Sequence, residues 1–255
     1  MQEEVPLLEV TSLEKRFGGV RALQGASLTI SKGETIALVG DNGAGKSTLV
    51  KAIAGIQPAD TGNIRLNGKA VNIRSAKDAG ALGIEVVYQD LALANSLDVA
   101  ANIFLADEPR RFNLGWFSIP DTKKIADETA ATLTRLRINI PEPHRPVANL
   151  SGGQRQAVAI GRSIRKGLRE LLILDEPTAA LGVKEVRKVL ALIESLKQDG
   201  QAMMIVSHDL EHVFRVADRV AVMRQGRVIA TRSIADVTKT DVVRLIVGDI
   251  EGVAA

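Results

Sequence analysis

The run Gly40-Asp41-Asn42-Gly43-Ala44-Gly45-Lys46-Ser47 constrains this chain more than any other stretch. It follows a short apolar segment, Glu34 to Val39, which reads as a buried parallel strand. A helix is expected from Lys46 to about Ile56. Strand, glycine-rich loop, Lys-Ser and helix together match G-x-x-x-x-G-K-[ST], a loop whose curled backbone points successive N–H groups at phosphate oxygens. The helix N-terminus adds its dipole to that anion site. In such a loop Lys46 reaches the β- and γ-phosphates and the Ser47 hydroxyl ligates Mg²⁺. The loop alone does not distinguish a kinase, a GTPase or an ATPase.

A second feature narrows the chemistry. Leu171-Leu172-Ile173-Leu174 is an apolar strand that delivers Asp175 and Glu176 at its C-terminal end, the edge where open α/β sheets bind ligands. Asp175 is placed to hold Mg²⁺. Alternation along the strand turns Glu176 to the other side, free to polarise an attacking water as general base.

Around these motifs, strands are expected at 7–13 and 20–30, at 85–88 and at 202–206. Asn67-Gly68 marks a hairpin between 64–66 and 69–71, and Gln225-Gly226 another between 219–223 and 227–231. A helix over 183–198 restores a βαβ alternation. From about 90 to 166 strand signals disappear. Helices are expected at 96–106 and 121–137, with an irregular segment from Pro109 to Pro120 between them and a stiff loop at Pro141, Pro143 and Pro146. The expected fold is therefore α/β: a phosphate-loop (RecA-like) parallel-sheet core with added antiparallel strands and an inserted α-helical subdomain. The core takes residues 1–89 and 167–255, and the insertion 90–166.

Bulk properties exclude several classes. The chain has no cysteine, so disulfides, thiolate catalysis and Cys-ligated zinc are ruled out. Its 255 residues carry 33 basic and 30 acidic side chains, a net charge of +3, which gives no electrostatic reason to expect nucleic acid as the partner. The N-terminal Met-Gln-Glu-Glu-Val-Pro is acidic, so no signal peptide is expected, and no apolar run approaches the ~18 residues of a spanning helix.

Leu150-Ser151-Gly152-Gly153-Gln154-Arg155-Gln156 points to one family. Ser151 is a good N-cap for the apolar-periodic helix that follows, and two glycines leave the backbone open at that helix start, a second anion site. The stretch resembles the signature motif of ATP-binding-cassette (ABC) proteins, and the resemblance covers nearly the whole chain in the family's order. It implies an ATPase with ATP and Mg²⁺ as cofactors. ATP would be held by Gly40, Asp41, Asn42, Gly43, Ala44, Gly45, Lys46, Ser47 and Thr48, with Phe17 stacked on adenine. Glu176, His208 and Gln89 would be catalytic, and Ser47, Gln89 and Asp175 would serve the metal. Ser151, Gly152, Gly153 and Gln154 would cap the ATP of a second chain, so the resemblance implies a homodimer with composite sites. It further implies integral-membrane permease subunits, a solute-binding protein as indirect partner, and a peripheral position on the cytoplasmic face of the membrane. One departure stands out: after Thr178-Ala179-Ala180-Leu181 the family usually has Asp, and this chain has Gly182.

The segments 87–93 and 97–105, Thr178 to Leu181 and Leu245-Ile246-Val247-Gly248 look like the carbohydrate-uptake branch, which handles ribose, xylose, galactose and fructose. The likeness implies a monosaccharide importer with one cassette in the chain. Importers of amino acids or lipids share every catalytic motif, and soluble cassette proteins of DNA repair or translation remain as a further alternative.

Overall fold

A computed structural model describes residues 5–249 except 106, 115–116, 137–139, 141–142 and 166. The acidic N-terminal residues 1–4, the expected helix ends at 106 and 137, and Pro141 lie outside the described residues. The elements begin with β1 (Leu8–Phe17), β2 (Val20–Ile30), β3 (Thr35–Val39), α1 (Lys46–Ile53), β4 (Thr61–Leu66), β5 (Lys69–Val71), α2 (Ala76–Ala81) and β6 (Ile84–Val87). They continue with α3 (Val99–Phe104), β7 (Arg110–Leu114), β8 (Phe117–Pro120), α4 (Thr122–Arg135) and α5 (Gly152–Ile164). The last third holds β9 (Leu171–Asp175), α6 (Val183–Gln198), β10 (Met203–Val206), α7 (Leu210–Val216), β11 (Arg219–Arg224), β12 (Arg227–Ser233) and α8 (Lys239–Val247).

Two compact units result: Met1–Val86 with Arg169–Pro177 and Lys197–Ala255, and Val87–Leu168 with Thr178–Leu196. The first unit is built on strands. A six-stranded sheet runs β12-β11-β3-β10-β9-β6, with β11, β3, β10 and β9 parallel and β12 antiparallel to β11. Strands β3 and β10 are buried along their whole length, which is why they read as continuous apolar runs rather than alternating ones. A four-stranded antiparallel sheet runs β2-β1-β4-β5. Its β4–β5 turn has positive φ at both Asn67 and Gly68, as the Asn-Gly pair requires.

Strand β1 is longer than its apolar pattern suggests. Ser12 has φ 51 and the register shifts between Val10 and Leu13, so a bulge breaks the alternation and the ladder resumes as far as Phe17. Helices α2, α7 and α8 have too few residues, or too mixed a pattern, to stand out in the sequence; α7 and α8 are fixed by the Asp209 and Thr238 caps.

The second unit is mostly helical, but the segment expected to be irregular between Pro109 and Pro120 is a hairpin, β7 paired antiparallel with β8. Among the described residues the two strands pair with each other and join neither larger sheet, so no sheet-wide period marks them in the sequence. The unit's core joins Val99, Ile103 and Phe104 of α3 to Leu133 of α4, to Val147 in the turn before α5, and to Val158 of α5. Gly161 lets α5 approach α4: an added Cβ would lie 3.3 Å from Leu136 Cδ1.

A polar device holds the strap that leads into α3. Asn102 is fully buried. Its Oδ1 accepts the Ala94 N–H at 2.8 Å, and its Nδ2 donates to the carbonyls of Ala94, Leu97 and Asp98 at 3.1, 3.2 and 2.8 Å. The Arg162 guanidinium, on α5, donates to the Leu91 and Ala92 carbonyls at 2.9 and 3.0 Å. Asn102→Leu keeps the volume and strands these backbone groups, each at about 1–3 kcal/mol when buried. It is expected to lower the urea-unfolding free energy by at least about 2 kcal/mol. An unchanged midpoint and slope would show that the strap is held by something else.

Candidate functional site

The phosphate loop is shaped by backbone that comes too close for side chains. Strand β3 ends at Val39. At Gly40, φ is 149 and an added Cβ would lie 2.1 Å from the Met223 carbonyl oxygen of β11. At Gly45, φ is 106 and a Cβ would lie 2.7 Å from the Ala22 oxygen of β2. Between them the Ala44 N–H closes a turn on the Asp41 oxygen at 3.1 Å, and the Ala44 oxygen accepts the Gly226 N–H at 2.8 Å. Gly226 in turn accepts the Gln24 N–H at 2.9 Å. The loop is thus clamped between β2 and the β11–β12 turn. Its N-cap residue, Gly45, has no side chain to satisfy the first-turn N–H groups of α1, and no acidic residue sits there. Those amides are left for an anion.

Lys46 is buried and folds back on this loop, donating to the Gly40 and Asp41 oxygens at 2.6 and 3.0 Å. Burial lowers its pKa, while the charges of Glu176, Asp41 and Asp175 oppose that shift. Ser47 is exposed beside it, Thr48 half-buried, and Asp41, Asn42 and Gly43 exposed.

Asp175 is the last residue of β9. Burial, and then the neighbouring Glu176, raise its carboxyl above the ordinary range, against the pull of Lys46 and Lys51. Glu176 does not continue the strand. Its φ is 51, so pleat alternation does not apply to it and the expectation based on alternation is corrected. Its N–H still donates to the Val206 oxygen at 2.9 Å, and its Oε1 lies 2.9 Å from His208 Nδ1. The carboxylate engages Nδ1, which leaves Nε2 as the ring nitrogen not committed to Glu176. His208 is 73% exposed and Glu176 16%, so the imidazole is the open member of the pair. In this unit Lys46, Asp175, Glu176 and His208 come together at the C-terminal ends of β3, β9 and β10. The oxygen donors Ser47 and Asp175 are the groups that could serve a hard cation such as Mg²⁺.

Phe17 is not a core residue: it is 43% exposed at the end of β1. The Lys15 ammonium lies 5.7 Å from its ring centroid and also donates to the Pro58 oxygen and Asp60 at 2.7 and 2.8 Å.

In the other unit, Ser151 caps α5 in a reciprocal box. The Gln154 N–H donates to Ser151 Oγ at 3.4 Å, and Gln154 Oε1 accepts the Ser151 N–H at 3.0 Å. Glu185, on the first turn of α6, was not singled out from the sequence. The Ser151 hydroxyl, then the Gly182 and Gly153 amides, hold its carboxyl below the ordinary range. Glu185 stands three residues after Gly182, the spacing of a cap and its third helical position, the one sequence signal that could have pointed to it. Gln89 is exposed, two residues beyond the end of β6. Of the apolar residues in the segment 90–105, Val99 is core and Leu97 exposed.

The ABC transporter family model matches residues 23–179. A xylose/arabinose import ATP-binding protein of Sulfolobus acidocaldarius is 46% identical over 88% of this chain and 86% of that relative. A fructose import ATP-binding protein of Rhizobium meliloti is 43% identical over 95% of this chain and 94% of that relative. Among solved structures, MJ1267, an ATP-binding cassette of an ABC transporter, superposes with a TM-score of 0.82 at 26% identity, covering 95% of this chain and 98% of that one. The chain belongs to the ABC transporter family, as one of its ATP-hydrolysing cassettes.

The raised Asp175 carboxyl has a consequence for stability. A group whose folded pKa exceeds its unfolded value favours the fold while it is protonated, and that contribution disappears as pH rises through the folded value. Above that value the charged carboxyl is a net burden on the fold. Asp175→Asn is therefore expected to raise the thermal midpoint at pH 7, measured without nucleotide or Mg²⁺. The gain should vanish at a pH below the ordinary carboxylate range, where the native carboxyl is already neutral. Equal or lower stability of the variant at pH 7 would contradict the stated cause.

Proposed function

We propose that the chain powers import of a monosaccharide, as a homodimer of cassettes docked on integral-membrane permease subunits at the cytoplasmic face. The observation that carries the ATP-driven part is the meeting of Lys46, Asp175, Glu176 and His208 beside an uncapped helix N-terminus. The solute class rests on the two sugar-import relatives, and a solute-binding protein is the indirect partner that such an importer uses. No helix among the described residues is long and apolar enough to cross a membrane, which fits a subunit that needs a separate permease.

In this reading the nucleotide-binding core is 1–89 with 167–255 and the signature subdomain 90–166. The triphosphate lies on the amides of residues 40–48, with Lys46 turned from its own loop carbonyls to the β- and γ-phosphates, and adenine stacks on the exposed Phe17 ring. Ser47 and Asp175 would hold Mg²⁺, with Gln89 as the further contact. Bound there, the ion neutralises phosphate charge and orients the oxygens. Glu176 takes a proton from the attacking water as the water oxygen bonds to the γ-phosphorus. The bond to the β–γ bridging oxygen breaks, giving ADP and phosphate. His208, oriented through Nδ1 by Glu176, presents Nε2 towards the γ-phosphate. The left-handed backbone at Glu176 is a local strain of the kind that persists where geometry is functional.

Glu176→Gln is expected to bind ATP normally and to lose essentially all turnover, because the amide keeps shape but cannot take the proton. Single-turnover and equilibrium-binding measurements check this, and a near-normal kcat would sink the assignment.

The composite site has its own test. One ATP is held by Lys46 of one chain and capped by Ser151 and Gly153 of the other, so each homodimer has two equivalent sites. Lys46→Ala and Ser151→Arg chains should each be inactive. In their heterodimer both defects fall on one site and leave the other intact, so mixing should restore part of the activity. Mixtures with no recovery, in which heterodimers are detected with ATP bound, would count against shared sites.

A further inference from the structure

Strand β1 outruns its neighbour. β4 begins at Thr61, opposite Glu14, so Lys15, Arg16 and Phe17 lie beyond the β4 ladder. Asp60 carries the pairing on in another form. Its N–H donates to the Glu14 oxygen at 2.8 Å, its Oδ2 accepts the Arg16 N–H at 2.8 Å, and its Oδ1 accepts the Lys15 ammonium at 2.8 Å. The ammonium also donates to the Pro58 oxygen at 2.7 Å. The segment 58–60 thus fixes both the main chain and the side chain that lead into Phe17.

That side chain sits against the ring. Lys15 Nζ is 5.7 Å from the Phe17 centroid, within the reach of a cation–π contact. Phe17 closes the β1–β2 hairpin opposite Val20, and a Cβ on either turn glycine, Gly18 or Gly19, would meet nothing within 4 Å. An exposed ring at such a tip loses rotamer freedom when a ligand fixes it. A cation tethered to the segment 58–60 holds the ring beforehand and takes one of its faces. It also changes the other face. Two π systems stacked face to face repel through like quadrupoles, and a cation behind one ring draws electron density away from the stacking side. The same hairpin leads to the phosphate loop, since Ala22 of β2 is the residue whose oxygen lies against Gly45. Ring and loop share one frame, so fixing the ring fixes where a base must lie relative to its phosphates.

We propose that Lys15 and Asp60 are positioning residues for the nucleotide base: Asp60 anchors the Lys15 ammonium against one face of Phe17, and the ring presents its other face to adenine. This role rests on the reading of Phe17 as the adenine platform and adds the groups that set its position and its stacking strength. The gain is confined to the base, because the loop that takes the phosphates is held by its own main-chain contacts.

The test measures equilibrium binding of ATP, and of inorganic tripolyphosphate, which has no base, to the full chain. Lys15→Met keeps the apolar stem and removes the cation. It is expected to weaken ATP binding about threefold and to leave tripolyphosphate binding unchanged. Asp60→Asn keeps an acceptor for the Arg16 N–H and loosens the ammonium. It should act in the same direction and covers a folding defect peculiar to Lys15→Met. In a Phe17→Ala background neither substitution should weaken ATP further, because both act through the ring. A merely structural tie would weaken the two ligands alike and keep its effect without the ring. If Phe17→Ala weakens ATP alone, either of those results, or native ATP affinity in both variants, overturns the positioning role while the platform stands. If Phe17→Ala leaves ATP affinity unchanged, the platform itself falls, and the positioning role with it.

Discussion

Everything at the catalytic edge depends on main chain pressed against main chain. The Met223 oxygen against Gly40 and the Ala22 oxygen against Gly45 leave no room for a side chain, and the Ala44–Gly226–Gln24 hydrogen bonds lock the contact. These contacts draw on β2, β3 and the β11–β12 turn, segments far apart in sequence. The loop is rigid because three elements meet on it, and rigid amides bind phosphate without first having to be ordered. Lys46 and the acidic pair are then aimed from this fixed frame by buried strands.

Within that frame the charges work against one another. Lys46 is lowered by burial and Asp175 raised by it, each relieved by the other's charge. Neither is at ease where it sits. A site of this kind gives up some stability of the empty chain in favour of a charged substrate, whose phosphates satisfy the amides and the ammonium while an accompanying cation would satisfy the carboxylates.

Much of this was legible in the sequence because the motifs are local. The loop 40–47, the strand ending at Asp175 and the capped helix after Ser151 each occupy one continuous stretch, and α6 was bounded at 183–198, where the structure has it. What escaped depended on contacts between distant segments or on breaks in a period. The bulge at Ser12 hid the second half of β1. Among the described residues the β7–β8 hairpin joins neither larger sheet, and a two-stranded pair gives little period to read. The turn of Glu176 out of the strand cannot be inferred from alternation, which assumes extended backbone. Asn102 is an ordinary polar residue until the carbonyls it serves are brought beside it. The candidate site was legible as a set of residues, but the turn that brings Glu176 against His208 was not.

The grip of Arg162 on the Leu91 and Ala92 carbonyls, seconded by Asn102 at the strap's far end, makes the strap and helix α5 a single mechanical part. A guanidinium fork resists both sliding and twisting, since its two nitrogens hold adjacent carbonyls. A displacement at residues 91–98 would therefore be carried to α5 through the Arg162 fork rather than through packing alone.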